Sequence, residues 1–99
     1  MEFSLSQWVF ILTDQTSLAL DFLEEAIASK NPHVRSLAAL HSSMTLTLIQ
    51  PLLSDEDWYV RRTALSSPCL RLADLEDLMF THQHLDVRER ALELFISSI

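Results

Sequence analysis

The sequence of 99 residues contains no glycine, a single cysteine and three prolines. Without glycine the chain has no phosphate-cradling loop, which excludes most nucleotide-binding motifs. Because Cys69 is alone, it cannot form an internal disulfide bond or hold an iron–sulfur cluster, and we expect a protein of a reducing compartment, the cytoplasm. The shortage of glycine and proline, against many leucine, alanine and glutamate residues, favours helices joined by short connections.

Basic residues are also scarce. The chain has 7 Lys and Arg residues against 14 Asp and Glu residues, which gives a formal net charge of −7. Nucleic-acid-binding proteins normally have a net basic surface, because neutralised phosphates supply most of their affinity. The charge balance therefore argues against nucleic acid as the main partner, while leaving room for a local basic stripe.

Long hydrophobic runs are absent as well. The apolar run at residues 8–12 is too short to span a bilayer, and it lacks the basic flank and the cleavage site of a signal peptide. We therefore expect no membrane partner. Apolar residues nevertheless make up 48% of the chain, enough for one continuous core in a single domain of residues 1–99.

An internal repeat of about 26 residues determines the predicted architecture. One set of apolar residues recurs in three registers with the i, i+3, i+6, i+7 spacing of a helix face. The registers are Leu20, Leu23, Ala26, Ile27; Leu46, Ile49, Leu52, Leu53; and Leu72, Leu75, Leu78, Met79.

A second strip follows the same spacing. Val-Arg pairs stand at residues 34–35, 60–61 and 87–88, and alanine follows each valine by one helical turn. One extra residue falls between Met79 and Val87, and we place it in the connection at residues 81–86. Trp8 stands where Val34 does but Val9 replaces the arginine, so the first unit is degenerate, as terminal repeats often are.

These patterns predict an all-α fold, a short right-handed α-solenoid of three to four two-helix repeats. We expect a degenerate first repeat at residues 1–28, repeats at 29–54 and 55–81, and a terminal helix in 82–99. The predicted helices span residues 5–13, 18–29, 32–42, 45–53, 57–66, 71–80 and 84–97.

The segment Asp55-Glu56-Asp57-Trp58-Tyr59-Val60-Arg61-Arg62-Thr63-Ala64 carries the clearest motif, and looser copies stand at residues 31–35 and 84–88. This pattern resembles the leucine-rich repeat variant family, which belongs with the broader HEAT-like α-solenoids. The resemblance covers the chain from about Thr16 to Phe95. It implies a stacked helical fold and says little about function.

Two departures from that family matter. The spacing of 26 residues is longer than the family's usual unit, so we expect the second helix of each repeat to be an α-helix rather than a 3₁₀ turn. Some members also carry a cysteine-bound cluster, which a chain with Cys69 alone cannot hold.

The three repeated arginines form a ladder if the units stack: Arg35, Arg61 and Arg88. In one interpretation each arginine pairs with a carboxylate or a helix end at the seam between repeats, as Arg61 does with Asp55 or Asp57. In the other interpretation the ladder is an exposed stripe that contacts phosphate or another anion. We favour the structural role.

Candidate partner-binding residues fall into two groups. Trp58 and Tyr59 begin a helix beside Arg62, and an aromatic pair there packs between repeats in the simpler interpretation or, if exposed, anchors a partner. Arg90 widens the basic side. The acidic candidates lie on second helices and form either an ordinary solvated face or a surface that competes for a basic site on a partner: Asp21, Glu24, Glu25, Asp74, Glu76 and Asp77.

No arrangement of residues points to catalysis or to a metal. His82 and His84 form a His-x-His pair, but metal binding needs three or four convergent ligands with their own hydrogen-bond support. No two acidic residues are predicted to share a pocket with opposed environments. We therefore expect no catalytic, cofactor-binding or metal-binding residues.

The leading hypothesis is a non-catalytic protein–protein interaction module, a small acidic adaptor or inhibitor that docks on a larger protein. Size and charge place it, by analogy, beside phage anti-defence and immunity proteins. The alternative is a nucleic-acid-binding HEAT-like protein that uses the arginine ladder. A third hypothesis, a lyase-like enzyme subunit, needs a pocket of several hundred Å³, which so short a chain is not expected to spare. The apolar residues near both ends also predict self-association.

Overall fold

The computed structural model describes residues 3–14 and 17–99. Within these residues the protein is all-helical, with seven α-helices and no strand. Thr16, where the family resemblance begins, lies outside the described residues, as do three other positions of the predicted first repeat. The helices are α1 (Leu5–Asp14), α2 (Leu20–Ile27), α3 (Pro32–Ala39), α4 (Leu46–Leu53), α5 (Trp58–Ala64), α6 (Leu72–Thr81) and α7 (Leu85–Ser98).

A helix lies at each of the seven predicted places, so the all-α prediction is confirmed for the described residues. The second helices α2, α4 and α6 are α-helices, as the length of the repeat implied. The largest difference is at α3, which ends at Ala39 rather than at residue 42. There the Leu40 N–H group donates to the Leu37 carbonyl oxygen at 3.2 Å, a tighter turn that terminates the helix.

Polar residues fix where the helices begin. The Asn31 side chain accepts a hydrogen bond from the His33 N–H group at 2.9 Å, and Pro32 occupies the first turn, where its missing N–H group costs nothing. Asp57 caps α5 by accepting from the N–H groups of Tyr59 and Val60. These caps place the starts of α3 and α5, and with them the Val-Arg step that follows in each helix.

The helices pack in a regular order. The first helices contact one another in sequence, α1 against α3, α3 against α5 and α5 against α7. The second helices α2 and α4 also pack together, and α2, α4 and α6 each contact the first helix that follows them. The molecule measures 39 × 25 × 19 Å along its principal axes, so this arrangement is elongated.

The core lies between the two sets of helices, along the two repeated strips. The valines and alanines of the second strip are fully buried: Val34, Val60, Val87, Ala38, Ala64 and Ala91. In the first strip Leu23, Ile49 and Leu75 are buried. Its opening members are the exception, since Leu20, Leu46 and Leu72 each stand at the first position of a helix and are exposed.

The extra residue of the last unit lies at the end of α6. Helices α4 and α6 start at equivalent positions, but α6 continues to Thr81, two residues beyond the equivalent of Leu53. The extra residue thus lies in the predicted interval between Met79 and Val87, but at the end of α6 rather than in the connection that follows it. The added length carries Phe80 to the surface, where it is exposed.

Candidate functional site

The first arginine of the ladder is held between α3 and the turn before α5. Arg35 Nε and Nη2 donate to the two carboxylate oxygens of Asp55 at 2.8 and 3.0 Å. Arg35 Nη1 donates to the Ser29 carbonyl oxygen at 2.7 Å. The side chains are only 10% and 9% exposed, so this is a buried, two-pronged ion pair.

The second arginine makes the equivalent contacts one unit later. Arg61 Nη1 donates to the Asp55 carbonyl oxygen at 2.7 Å, as Arg35 does to Ser29. Its carboxylate partner is Asp86, whose oxygen lies 3.1 Å from Arg61 Nε. The sequence suggested the Asp55 or Asp57 carboxylate instead; these are engaged elsewhere, on Arg35 and on the first turn of α5.

The turn before each of these helices repeats as well. The Asn31 N–H group donates to Ser29 Oγ at 3.2 Å, and the Asp57 N–H group donates to Asp55 Oδ1 at 3.0 Å. In the last unit the His84 N–H group donates to the Nδ1 atom of the histidine two residues earlier at 3.0 Å. Three different side chains therefore form one type of turn at spacings of 26 and 27 residues.

The third arginine lacks the partners of the first two. The Arg88 Nε–H group is buried and has no hydrogen-bond acceptor among the described residues. None of the ion pairs found in residues 3–14 and 17–99 includes Arg88. Arg88 therefore departs from the pattern that Arg35 and Arg61 set.

A cleft of about 330 Å³ lies beside Arg88. Helices α6 and α7 form its walls, and Arg88 and Glu89 are its charged residues. Its apolar lining is Met79, Phe80, Leu85 and Leu92.

Trp58 and Tyr59 are both exposed, to 62% and 50%. Their rings meet edge to face with centroids 6.1 Å apart. The interpretation that they pack between repeats is therefore wrong. Arg62, one turn further along α5, is exposed too, and the three residues form one amphipathic patch.

The acidic candidates occupy two separate surfaces. Asp21, Glu24 and Glu25 are exposed on α2, and Glu76 and Asp77 are exposed on α6. The intervening helix α4 has no acidic residue, so the acidic side is interrupted. The remaining acidic candidate, Asp74, lies in the first turn of α6, where its carboxylate accepts a hydrogen bond from the Arg71 N–H group at 2.8 Å and so stabilises the start of the helix.

The last basic candidate, Arg90, makes a weak contact on its own helix. Its Nη1 atom lies 3.5 Å from a Glu93 carboxylate oxygen, and its Nε–H group is buried without an acceptor in the described residues. The structure does not bring Arg90 to the patch of Trp58, Tyr59 and Arg62 through any described contact.

His82 has a defined tautomer. Its Nδ1 atom accepts from the His84 N–H group, so Nε2 carries the proton and can donate to Ser54 Oγ, 3.2 Å away. Partial burial, and next the charge of His84, lower the pKa of His82 below its ordinary value of 6.5. No group of three or more potential metal ligands occurs in residues 3–14 and 17–99.

Two further clefts lie near the other end, with volumes of about 300 and 460 Å³. Both include Phe3 and Ile11, and the larger one also includes Leu18 and Phe22. These two clefts and the cleft at Arg88 are open to solvent rather than enclosed. In the described part of the chain, no helix has the length and apolar character needed to cross a membrane.

Comparison with protein-family models, curated proteins and solved structures finds no match to this chain. The resemblance to leucine-rich repeat variants therefore depends on the motif and its spacing.

Sequence reasoning missed the apolar residues of the Arg88 cleft, Phe80, Leu85 and Leu92. A signal was present for two of them. Leu85 stands at the position of Trp58 in the preceding unit, and Leu92 stands at the position of Leu65. The repeat therefore places both leucines at positions that could be compared with those of the preceding unit. Phe80 had no such signal, since it follows from the added length of α6.

Proposed function

We propose that this protein is a non-catalytic protein–protein interaction module, an acidic adaptor or inhibitor that acts in the cytoplasm. Its framework is a short right-handed α-solenoid of two-helix repeats. The support for the framework is the recurrence of the same arginine-to-carbonyl bond at Arg35 and Arg61, together with the sequential packing of the first helices. Such a framework offers extended faces to a partner.

The observation that carries the functional proposal is the exposed patch of Trp58, Tyr59 and Arg62. Exposed aromatic residues beside an arginine are the side chains that most often dominate protein–protein binding energy. Because Trp58 is 62% exposed, most of its surface gains no burial from its own fold. A partner that covers the patch would bury its indole ring and satisfy the guanidinium group of Arg62.

A protein partner agrees better with the charges than nucleic acid does. Arg35 and Arg61, two of the three ladder arginines, already hold carboxylates and are largely buried. Phosphate binding would require these ion pairs to break. The net charge of −7 adds long-range repulsion from a polyanion.

The test uses tagged full-length protein and lysate of the organism that produces it, with bound proteins identified by mass spectrometry. The bound protein is then purified, and the complex is remade and measured by size exclusion with light scattering. We expect one stoichiometric protein partner, weakened at least about tenfold by the double variant Trp58→Ala, Arg62→Glu.

The matched control is Gln50→Ala, which changes an exposed residue on α4, away from the patch. It should leave the complex unchanged. A partner that binds the double variant as tightly as the native protein would contradict the assigned surface. Nuclease-sensitive recovery of nucleic-acid-associated proteins would contradict the proposed function.

A further inference from the structure

We propose that the cleft at Arg88 binds an acidic segment of the partner protein, with an Asp or Glu carboxylate on the Arg88 guanidinium group and an apolar side chain against Leu92. This inference rests on the proposed function and specifies a part of the interface. The Arg88 site, as we name it, comprises Met79, Phe80, Leu85, Arg88, Glu89 and Leu92.

The two preceding units show what this position binds. Arg35 Nε donates to the carboxylate of Asp55, in the connection before α5, and Arg61 Nε donates to that of Asp86, in the first turn of α7. Arg88 stands at the equivalent position, and its Nε–H group is buried without an acceptor among the described residues. A buried N–H donor that lacks an acceptor is costly, so the site favours a ligand that brings one.

The exposure of Leu92 also indicates that no helix covers α7 at this position. Ala39 and Leu65 are 0% and 3% exposed, whereas Leu92, their counterpart in α7, is 44% exposed. In the earlier units the following first helix contacts this one, α5 on α3 and α7 on α5. The first turn of a partner's helix can therefore dock on this surface if it carries a carboxylate for Arg88 and an apolar side chain for Leu92.

The occupant in this proposal is a segment of the partner protein rather than α1 of a second copy stacked on α7. If α1 of a second copy extended the stack, its Gln7 would stand where Asp86 stands and its Phe3 where Asp55 stands. Neither residue supplies a carboxylate for Arg88. Charge complementarity therefore selects a partner with an acidic residue at the start of a helix.

The test titrates ¹⁵N-labelled full-length protein with a synthetic probe, the peptide of residues 53–66 of this same sequence. This segment places Asp55 on Arg35 inside the protein, and so carries the required carboxylate followed by a helix start. The control peptide carries Asp55→Asn. Binding is followed through the Nε–H resonance of Arg88 and the amide resonances of residues 79–92.

We expect saturable shifts of the Arg88 Nε–H resonance at peptide concentrations up to about 1 mM, the range of a weak single-segment contact. The Asp55→Asn peptide should bind about tenfold more weakly. Arg88→Gln should abolish the shifts, and Arg88→Lys should only partly preserve them, because a lysine lacks the planar fork of donors. Because the Arg88 Nε–H group has no acceptor and Arg88 has no ion pair in the described part of the chain, neither variant should lower the melting temperature, which circular dichroism checks.

Three results would overturn the inference: no shift at Arg88, equal binding of the two peptides, or dimerisation that depends on Arg88 in light scattering. A separate result would distinguish failure of the Arg88 site from failure of the proposed function. If the purified partner binds Arg88→Gln as tightly as the native protein while Trp58→Ala, Arg62→Glu weakens it, the module binds a protein but not through the Arg88 site.

Discussion

Replacing Asp55 with alanine is expected to destabilise the protein by about 3–5 kcal/mol, the cost of removing one member of a buried ion pair. The carboxylate lies 2.8 and 3.0 Å from Nε and Nη2 of Arg35, and both side chains are about nine-tenths buried. Without it the guanidinium group would remain in a poorly hydrated seam. The Asp57 N–H group would also lose its acceptor.

The matched control is Asp86→Ala, which removes the carboxylate from Arg61. This pair is longer, with Nε 3.1 Å from the carboxylate oxygen, and the Asp86 side chain is 44% exposed. Water can replace the lost partner, so the expected cost is below about 1 kcal/mol. The two substitutions are chemically identical, and their difference reports the combined effect of burial and of the additional hydrogen bonds that Asp55 accepts from Arg35 and from the Asp57 N–H group.

Urea denaturation followed by far-ultraviolet circular dichroism measures both variants. Since the denaturant slope for a small protein is about 1–3 kcal/mol per molar urea, Asp55→Ala should lower the midpoint by about 1 M or more. The double variant Asp55→Ala, Arg35→Met should recover part of this loss, because it removes the unpaired charge. Equal, small effects of Asp55→Ala and Asp86→Ala would refute the reasoning.

Two further predictions concern the core and pH. Ile49→Ala should cost about 2–5 kcal/mol, because Ile49 is fully buried, whereas Ile96→Ala on the exposed side of α7 should cost less than about 1 kcal/mol in the same urea assay. The lowered pKa of His82 means that the fold favours its neutral form, so its contribution to stability is present above pH 6.5 and is lost as pH falls through 6.5 toward the lower folded value. His82→Asn, whose side-chain oxygen can accept from the His84 N–H group, should therefore lose less stability between neutral and mildly acidic pH; an unchanged pH slope would contradict this.

The helices could be predicted from the sequence because their signals are local. Asn31-Pro32 caps α3 through contacts within two residues, and Val34, Val60 and Val87 recur at helical spacing in buried positions. The repeat strengthened the prediction, because the same apolar spacing occurs in three units and each occurrence supports the others. The all-α fold follows from such short-range rules.

The partners of the arginines could not be predicted with the same certainty, because they depend on how the units rotate against each other. Arg35 takes a carboxylate 20 residues further along the chain, but Arg61 takes one 25 residues further along. Asp57 was an equally plausible partner by sequence and instead caps α5. The exposure of Trp58 also depends on what lies beyond its helix, which a pattern of apolar residues does not encode.

The most direct test of the central claim, that this chain binds a protein through the Trp58 patch, is site-specific photocrosslinking in the cells that produce it. The photoreactive residue benzoylphenylalanine replaces Trp58 in one variant and Gln50 on α4 in the control. The account predicts one protein adduct of defined mass at position 58 and none at position 50. Adducts to nucleic acid, or the same pattern at both positions, would contradict it.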